Sequence, residues 1–285
     1  MAIRTLLPGI VEVSVVNSDK LNAFGSAQIA QLAADVTEVC DDPANRVIIY
    51  RGAPSKFGIS GFAGANLAEL ADLSDPEHPK PLPRQDARAH LEEGLTAISG
   101  IDSTRLRMNL SGQADDPGPV FIIGYFSGLL AGGMEFAEIC DLRFMTPKAP
   151  FGLPEGNLAG LPGWGGVEAM RRMTSPVQLA EILLNLGHKM GGFVDAETAL
   201  RWGLINGIVG TDEMQVEGID QPVPAIEAHA IAKAQMVLKL DGCMLRAALK
   251  LIRMDPHKDC TPFVTDMMSK LMTREIWARN AAKYA

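Results

Sequence analysis

Residues 46–52, RVIIYRG, hold an uninterrupted apolar run from Val47 to Tyr50. A run this short and this β-branched reads as a strand buried on both faces rather than as part of a helix. Upstream, VEVSVV at 11–16 alternates as a strand does. Between the two, AQIAQLAADVTEVC places Ile29, Leu32, Val36 and Val39 at helical spacing. Strand, helix and buried strand in that order predict a βαβ unit on a parallel sheet, and so an α/β fold.

Working outward, VFII at 120–123 is a second buried strand, and LRFM at 142–145 a third. PVQLAEILLNLG makes an amphipathic helix through Leu179, Ile182, Leu183 and Leu186. Asp195 is placed to cap AETALRWG by accepting from first-turn amides. Beyond about residue 222 the pattern is almost wholly helical. Between the early strands and VFII, a charged, proline-rich stretch begins near residue 71 and a second polar stretch ends near 118, which predicts a surface excursion or lid. The expected organisation is a core over 1–210 with an insertion near 71–118, then a helical region over 211–285.

The 285 residues are enough to bury a substantial core, and 47% of them are hydrophobic. A net charge of −8 disfavours nucleic acid and anionic membrane surfaces as partners. The first residues lack a signal-peptide core, no stretch has the length of a membrane span, and the expected location is the cytoplasm. Cys40, Cys140, Cys243 and Cys260 are far apart and read as free thiols. No histidine sits in a metal or nucleophile motif, and no phosphate-binding loop is present, so no metal or nucleotide cofactor is implied.

Four glycine-rich pieces stand out: FAGANL at 62–67, GGME at 132–135, FGLPEGNL at 151–158 and LPGWGG at 161–166. Such backbone can bend tightly and leave amide groups free to face an anion, although most glycine-rich turns are only turns. Glu135 sits at the opening of the apolar segment MEFAEIC, where a carboxylate also favours a helix dipole. Glu155 follows Pro154 in a loop. Either is explained as a solvated charge. Brought together in apolar surroundings, the two could move protons.

KLNAF at 20–24, FAGANL, GGMEFAEICD, FGLPEGNLAGLPGWGG and DAETALRWGLIN occur together and in order. In these segments, from about residue 9 to 210, the chain resembles the enoyl-CoA hydratase/isomerase, or crotonase, superfamily, and most closely its hydratase branch. The resemblance implies a spiral of ββα repeats followed by a helical trimerisation region, with a homotrimer or a dimer of trimers as the assembly. It implies an acyl-CoA thioester as ligand, with CoA part of the substrate and no separate cofactor.

By the same resemblance, the backbone amides of Ala65 and Gly132 would hold the thioester oxygen. Glu135 would deprotonate the attacking water and Glu155 would deliver a proton at the α-carbon. Ala63, Gly64, Asn66, Leu67, Gly133, Pro162, Gly163 and Trp164 would line the substrate, with Trp164 read chiefly as packing. The reaction implied is reversible addition of water to a trans-2-enoyl-CoA. A Δ3,Δ2-enoyl-CoA isomerase would need only one acid, another CoA-thioester enzyme would reuse the same oxygen-binding amides, and a non-catalytic acyl-CoA-binding protein would need neither acid. Two departures from the family pattern bear on the site: Asn66 stands where Asp is usual, and Ala131 replaces the first glycine of a triplet.

Overall fold

A computed structural model describes residues 2–17, 22–52, 61–62, 64–69, 71–72, 74–75, 77–78, 80–105, 119–128, 130, 133–158, 161–184, 193–254, 259–272 and 281–282. Its centre is a six-stranded sheet of β1 (Ala2–Leu7), β2 (Ile10–Val15), β3 (Val47–Gly52), β4 (Phe121–Phe126), β5 (Leu142–Met145) and β6 (Gly207–Ile208). The strands lie side by side in chain order. β1 and β2 form an antiparallel hairpin, and every later pair is parallel, with Val13 beside Tyr50, Ile48 beside Ile122 and Tyr125 beside Phe144. The βαβ expectation from RVIIYRG therefore holds.

Because side chains alternate along a strand, the central strands feed two cores at once. Val11, Val13, Val15, Ile48, Tyr50, Ile122 and Phe126 face a larger core that includes α1 (Ser26–Asp41), whose Ile29, Leu32, Val36 and Val39 are buried as their spacing predicts. Ile10, Val47, Ile49, Phe121, Ile123 and Tyr125 face a second core closed by α7 (Ala225–Val237) and α8 (Gly242–Ile252). Part of the helical C-terminal region thus completes the core of its own chain. On this second side Glu12 accepts both ends of the Arg51 fork, at 2.8 and 3.0 Å, and Tyr125 Oη donates to Glu227 at 2.7 Å.

On the first side a second layer is stitched by single parallel bridges. Phe24 pairs with Ala65, Phe62 with Leu130, and Leu130 with Phe151. These bridges draw the segments around residues 65, 130 and 151 together, although they are far apart in sequence.

Part of the predicted excursion is a packed helix, α2 (Arg84–Arg105). It lies along α1 and ends in Arg105, which is buried and donates to both oxygens of Asp141, at 2.7 and 3.1 Å. The remaining helices are α3 (Met134–Ala137), α4 (Gly166–Met173), α5 (Pro176–Leu183), α6 (Ala196–Arg201) and α9 (Thr261–Met272). Asp195 caps α6 by accepting from Thr198 N at 2.7 Å.

Candidate active site

Glu135 opens α3 and is 3% exposed. Its Oε1 accepts from the backbone amides of Trp164, at 2.8 Å, and Gly166, at 2.9 Å. Two amides converge on one oxygen because Gly165 between them takes a left-handed conformation, φ +101°, which favours glycine. Gly166 is needed for a second reason. A Cβ there would lie 2.6 Å from Glu135 Cγ and 3.0 Å from Oε1.

The walls are aromatic. Phe24 stacks on Phe136 at 4.1 Å, and the edge of Trp164 meets Phe136 at 5.0 Å. Trp164 is 2% exposed and so packs as a core residue. Removing a carboxylate from water disfavours its charge. Burial accordingly pushes the Glu135 pKa up to about 7; the Gly166 and Trp164 amides pull it down, and nearby Glu155 raises it further. Glu155, on the short 3-10 turn Pro154–Leu158, also has its pKa raised by burial, and its Oε2 is buried without a hydrogen-bond partner among the described residues. Glu155 is therefore within electrostatic range of Glu135.

The bridge between Phe24 and Ala65 ties the 64–66 segment to the aromatic cluster. Phe24 N donates to Gly64 O and Asn66 N donates to Phe24 O, both at 2.7 Å. A parallel bridge made through residues 64 and 66 turns the Ala65 N–H to the far side of the strand. Gly133 presses on this segment, for a Cβ there would collide with Phe62. Gly132 and Ala63, expected at the site, lie outside the described residues, as does the Leu67 side chain.

Asn66 has a defined task. Its Nδ2 donates to Glu69 Oε1 at 3.0 Å, while Glu69 Oε2 accepts from Ser26 N at 2.9 Å at the start of α1. An amide at position 66 can donate to Glu69, which an ionised Asp could not. His90 of α2 is 4% exposed, lies 3.3 Å through Nδ1 from Ser26 Oγ, and sets its ring edge-on to Trp164 at 5.5 Å.

Pro162 and Gly163 lie in the turn before Trp164, where α2 packs closely. A Cβ on Gly163 would lie 2.9 Å from Leu91, and one on Gly94 would run into the Trp164 indole. Sequence reasoning missed the amides of Trp164 and Gly166, the α2 wall and Glu138, a second buried carboxylate beside Glu135. The glycines flanking Trp164 were the available signal for the amides. Among the described residues no group of three or more His, Cys, Asp or Glu side chains is arranged to hold a metal ion, and no helix is long and apolar enough to cross a membrane.

Residues 118–249 match the family model described as Enoyl-CoA hydratase/isomerase. A crotonyl-CoA hydratase of Syntrophomonas wolfei is 28% identical over 220 residues, covering 77% of this chain and 71% of that one. The mouse enoyl-CoA hydratase domain-containing protein 2, mitochondrial, is 30% identical over 233 residues, covering 81% of this chain and 65% of the relative. A probable enoyl-CoA hydratase of Mycobacterium bovis is 28% identical over 197 residues, and the match spans 64% of its length. The chain thus spans just under two thirds of the last two. Among solved structures, an enoyl-CoA hydratase from Bacillus anthracis superposes with a TM-score of 0.74 at 20% identity, covering 99% of this chain and 95% of that one.

Proposed function

Because the chain belongs to the enoyl-CoA hydratase/isomerase, or crotonase, superfamily, we propose that it adds water reversibly to a trans-2-enoyl-CoA, giving a 3-hydroxyacyl-CoA. One observation carries this reading: Glu135, tied through Oε1 to two backbone amides against aromatic walls, stands within electrostatic reach of Glu155. A base for this chemistry must be fixed in place and still able to exchange a proton near neutral pH.

In the proposed reaction the Ala65 and Gly132 amides hold the thioester oxygen as negative charge develops on it; each such donor typically contributes roughly 2.7–4 kcal/mol. Glu135 takes a proton from water as its oxygen attacks the β-carbon, and the electrons move into an enolate. Glu155 then delivers a proton to the α-carbon. The expected assembly is a homotrimer or a dimer of trimers, in keeping with the exposed Met236, Ile252 and Met268 of the C-terminal helices.

The test is the loss of conjugated-enoyl absorbance when purified protein meets crotonyl-CoA, with Glu155→Gln run beside it. Rapid loss in the wild type and a fall of roughly 10²-fold or more in the variant are expected for general acid catalysis. No loss in a folded wild type that converts a 3-enoyl-CoA to its 2-enoyl isomer would replace this reading with isomerisation.

A further inference from the structure

Glu138 lies one turn beyond Glu135 and is 8% exposed, between the buried Ala137 and Ile139. Its Oε1 has no hydrogen-bond partner among the described residues. Burial holds its pKa well above the ordinary carboxylate range; Arg143 draws it down and Glu135 adds to the rise. A position with only packing to do would be apolar like its neighbours, since burying a carboxyl costs free energy even when it is neutral.

Glu138 and Glu135 line the same cavity, of about 220 Å3. Its floor is Glu135, Glu138, Ile139 and Trp164, all buried; its rim includes Ser99, Glu168 and Arg172, all exposed. The cavity therefore runs from solvent, between α2 and α4, down to Glu135 and Glu138. At ~30 Å3 per molecule it has room for several waters, and its walls carry the polar groups that ordered water needs. An alkyl chain entering here would strip water from Glu138, Glu168 and Arg172.

Hydration consumes one water in every turnover, and a bound thioester obstructs its own route of entry. Resting on the hydratase reading above, we infer that this cavity is the water entrance of the site, with Glu138 as the positioning residue that anchors ordered water beside Glu135. Thioester and water then approach Glu135 by separate routes.

The test fills or greases the cavity and reads two chain lengths. Ala169→Phe narrows it from α4, Glu138→Leu removes the polar floor, and Glu138→Gln retains hydrogen bonding. With crotonyl-CoA and trans-2-decenoyl-CoA alike, the first two variants are expected to lower kcat roughly tenfold, the scale of losing a positioned water, with KM unchanged. Glu138→Gln is expected to keep most of the wild-type rate while Glu138→Leu loses it, a split that follows hydrogen bonding rather than side-chain volume. Ser99→Trp, at the exposed rim, makes the same test if the buried variants fail to fold. A loss confined to decenoyl-CoA with a raised KM would make the cavity an acyl pocket and overturn the inference. Wild-type kcat in all the folded variants would overturn it too. A wild type that does not hydrate crotonyl-CoA would overturn the proposed function and this inference together.

Discussion

Two sets of buried and half-buried carboxylates lie on opposite faces of the sheet. On one face Glu12 is gripped by Arg51 and lies 3.2 Å from Arg4, which also reaches Glu227 at 3.5 Å. On the other, Glu135 Oε1 is held by backbone amides, while Glu138 Oε1 and Glu155 Oε2 have no hydrogen-bond partner among the described residues. A guanidinium fork neutralises a carboxylate and fixes its charge. Amides orient a carboxylate without supplying a full opposing charge, so burial can still push its pKa toward neutrality. The first set serves the fold, and the second keeps the protonation freedom that the proposed proton transfers require.

The contrast is broken most sharply at its functional end. Glu135→Gln keeps an oxygen for the two amides but cannot take a proton, so hydration of crotonyl-CoA should fall by roughly 10²–10⁴-fold, measured as kcat on folded protein. Gly166→Ala leaves the carboxylate in place chemically but pushes it aside, because the added methyl would meet Cγ and Oε1. A displacement on that scale should cost on the order of 10²-fold in kcat. Circular dichroism should show a folded protein in both.

At the structural end, Arg51→Met leaves Glu12 buried without its fork. Denaturant unfolding should report a loss of roughly 3–5 kcal/mol, with kcat per folded molecule nearly unchanged. An activity loss comparable to that of Gly166→Ala would erase the distinction between the two faces.

The smallest effect concerns pH. Glu135 has its pKa raised from 4.5 to about 7, so between those values the folded protein holds a proton that the unfolded chain has released. The stability this proton confers is full below pH 4.5 and falls as pH rises to about 7, by roughly 3 kcal/mol. Glu135→Gln removes that slope. Its Tm should gain on the wild type between pH 5 and pH 8, while activity is lost.

Much of the fold was legible because it depends on side-chain pattern. The alternation in VEVSVV and the run in RVIIYRG predicted their strands, and the spacing of Ile29, Leu32, Val36 and Val39 gave the buried face of α1. The polar charge of residues 84–105 hid the fact that α2 is a wall, since its contact with the Trp164 turn depends on an absence, the missing side chain of Gly94. MEFAEIC is helical only as far as Ala137; Asp141 then joins the sheet, its N–H donating to Ile122 O at 2.7 Å.

Within the candidate site, Glu135 and Glu155 were legible as carboxylates beside glycine-rich turns, because a candidate for acid–base chemistry is marked by its side-chain type. The groups that hold Glu135 are main-chain amides, which every residue but proline carries, so no residue name announces them. Glu138 was hidden for another reason. In sequence it is one more acid in an apolar helix, and only its burial beside the cavity distinguishes it from a surface charge.

The proposed chemistry requires Glu135 to change protonation near neutral pH. The most direct measurement is an infrared titration of the protonated-carboxyl band in the wild type and in Glu135→Gln. A wild-type band that disappears near pH 7 and is missing from the variant is the predicted result. Titration of that band complete by pH 5, or the same band in both proteins, would contradict it.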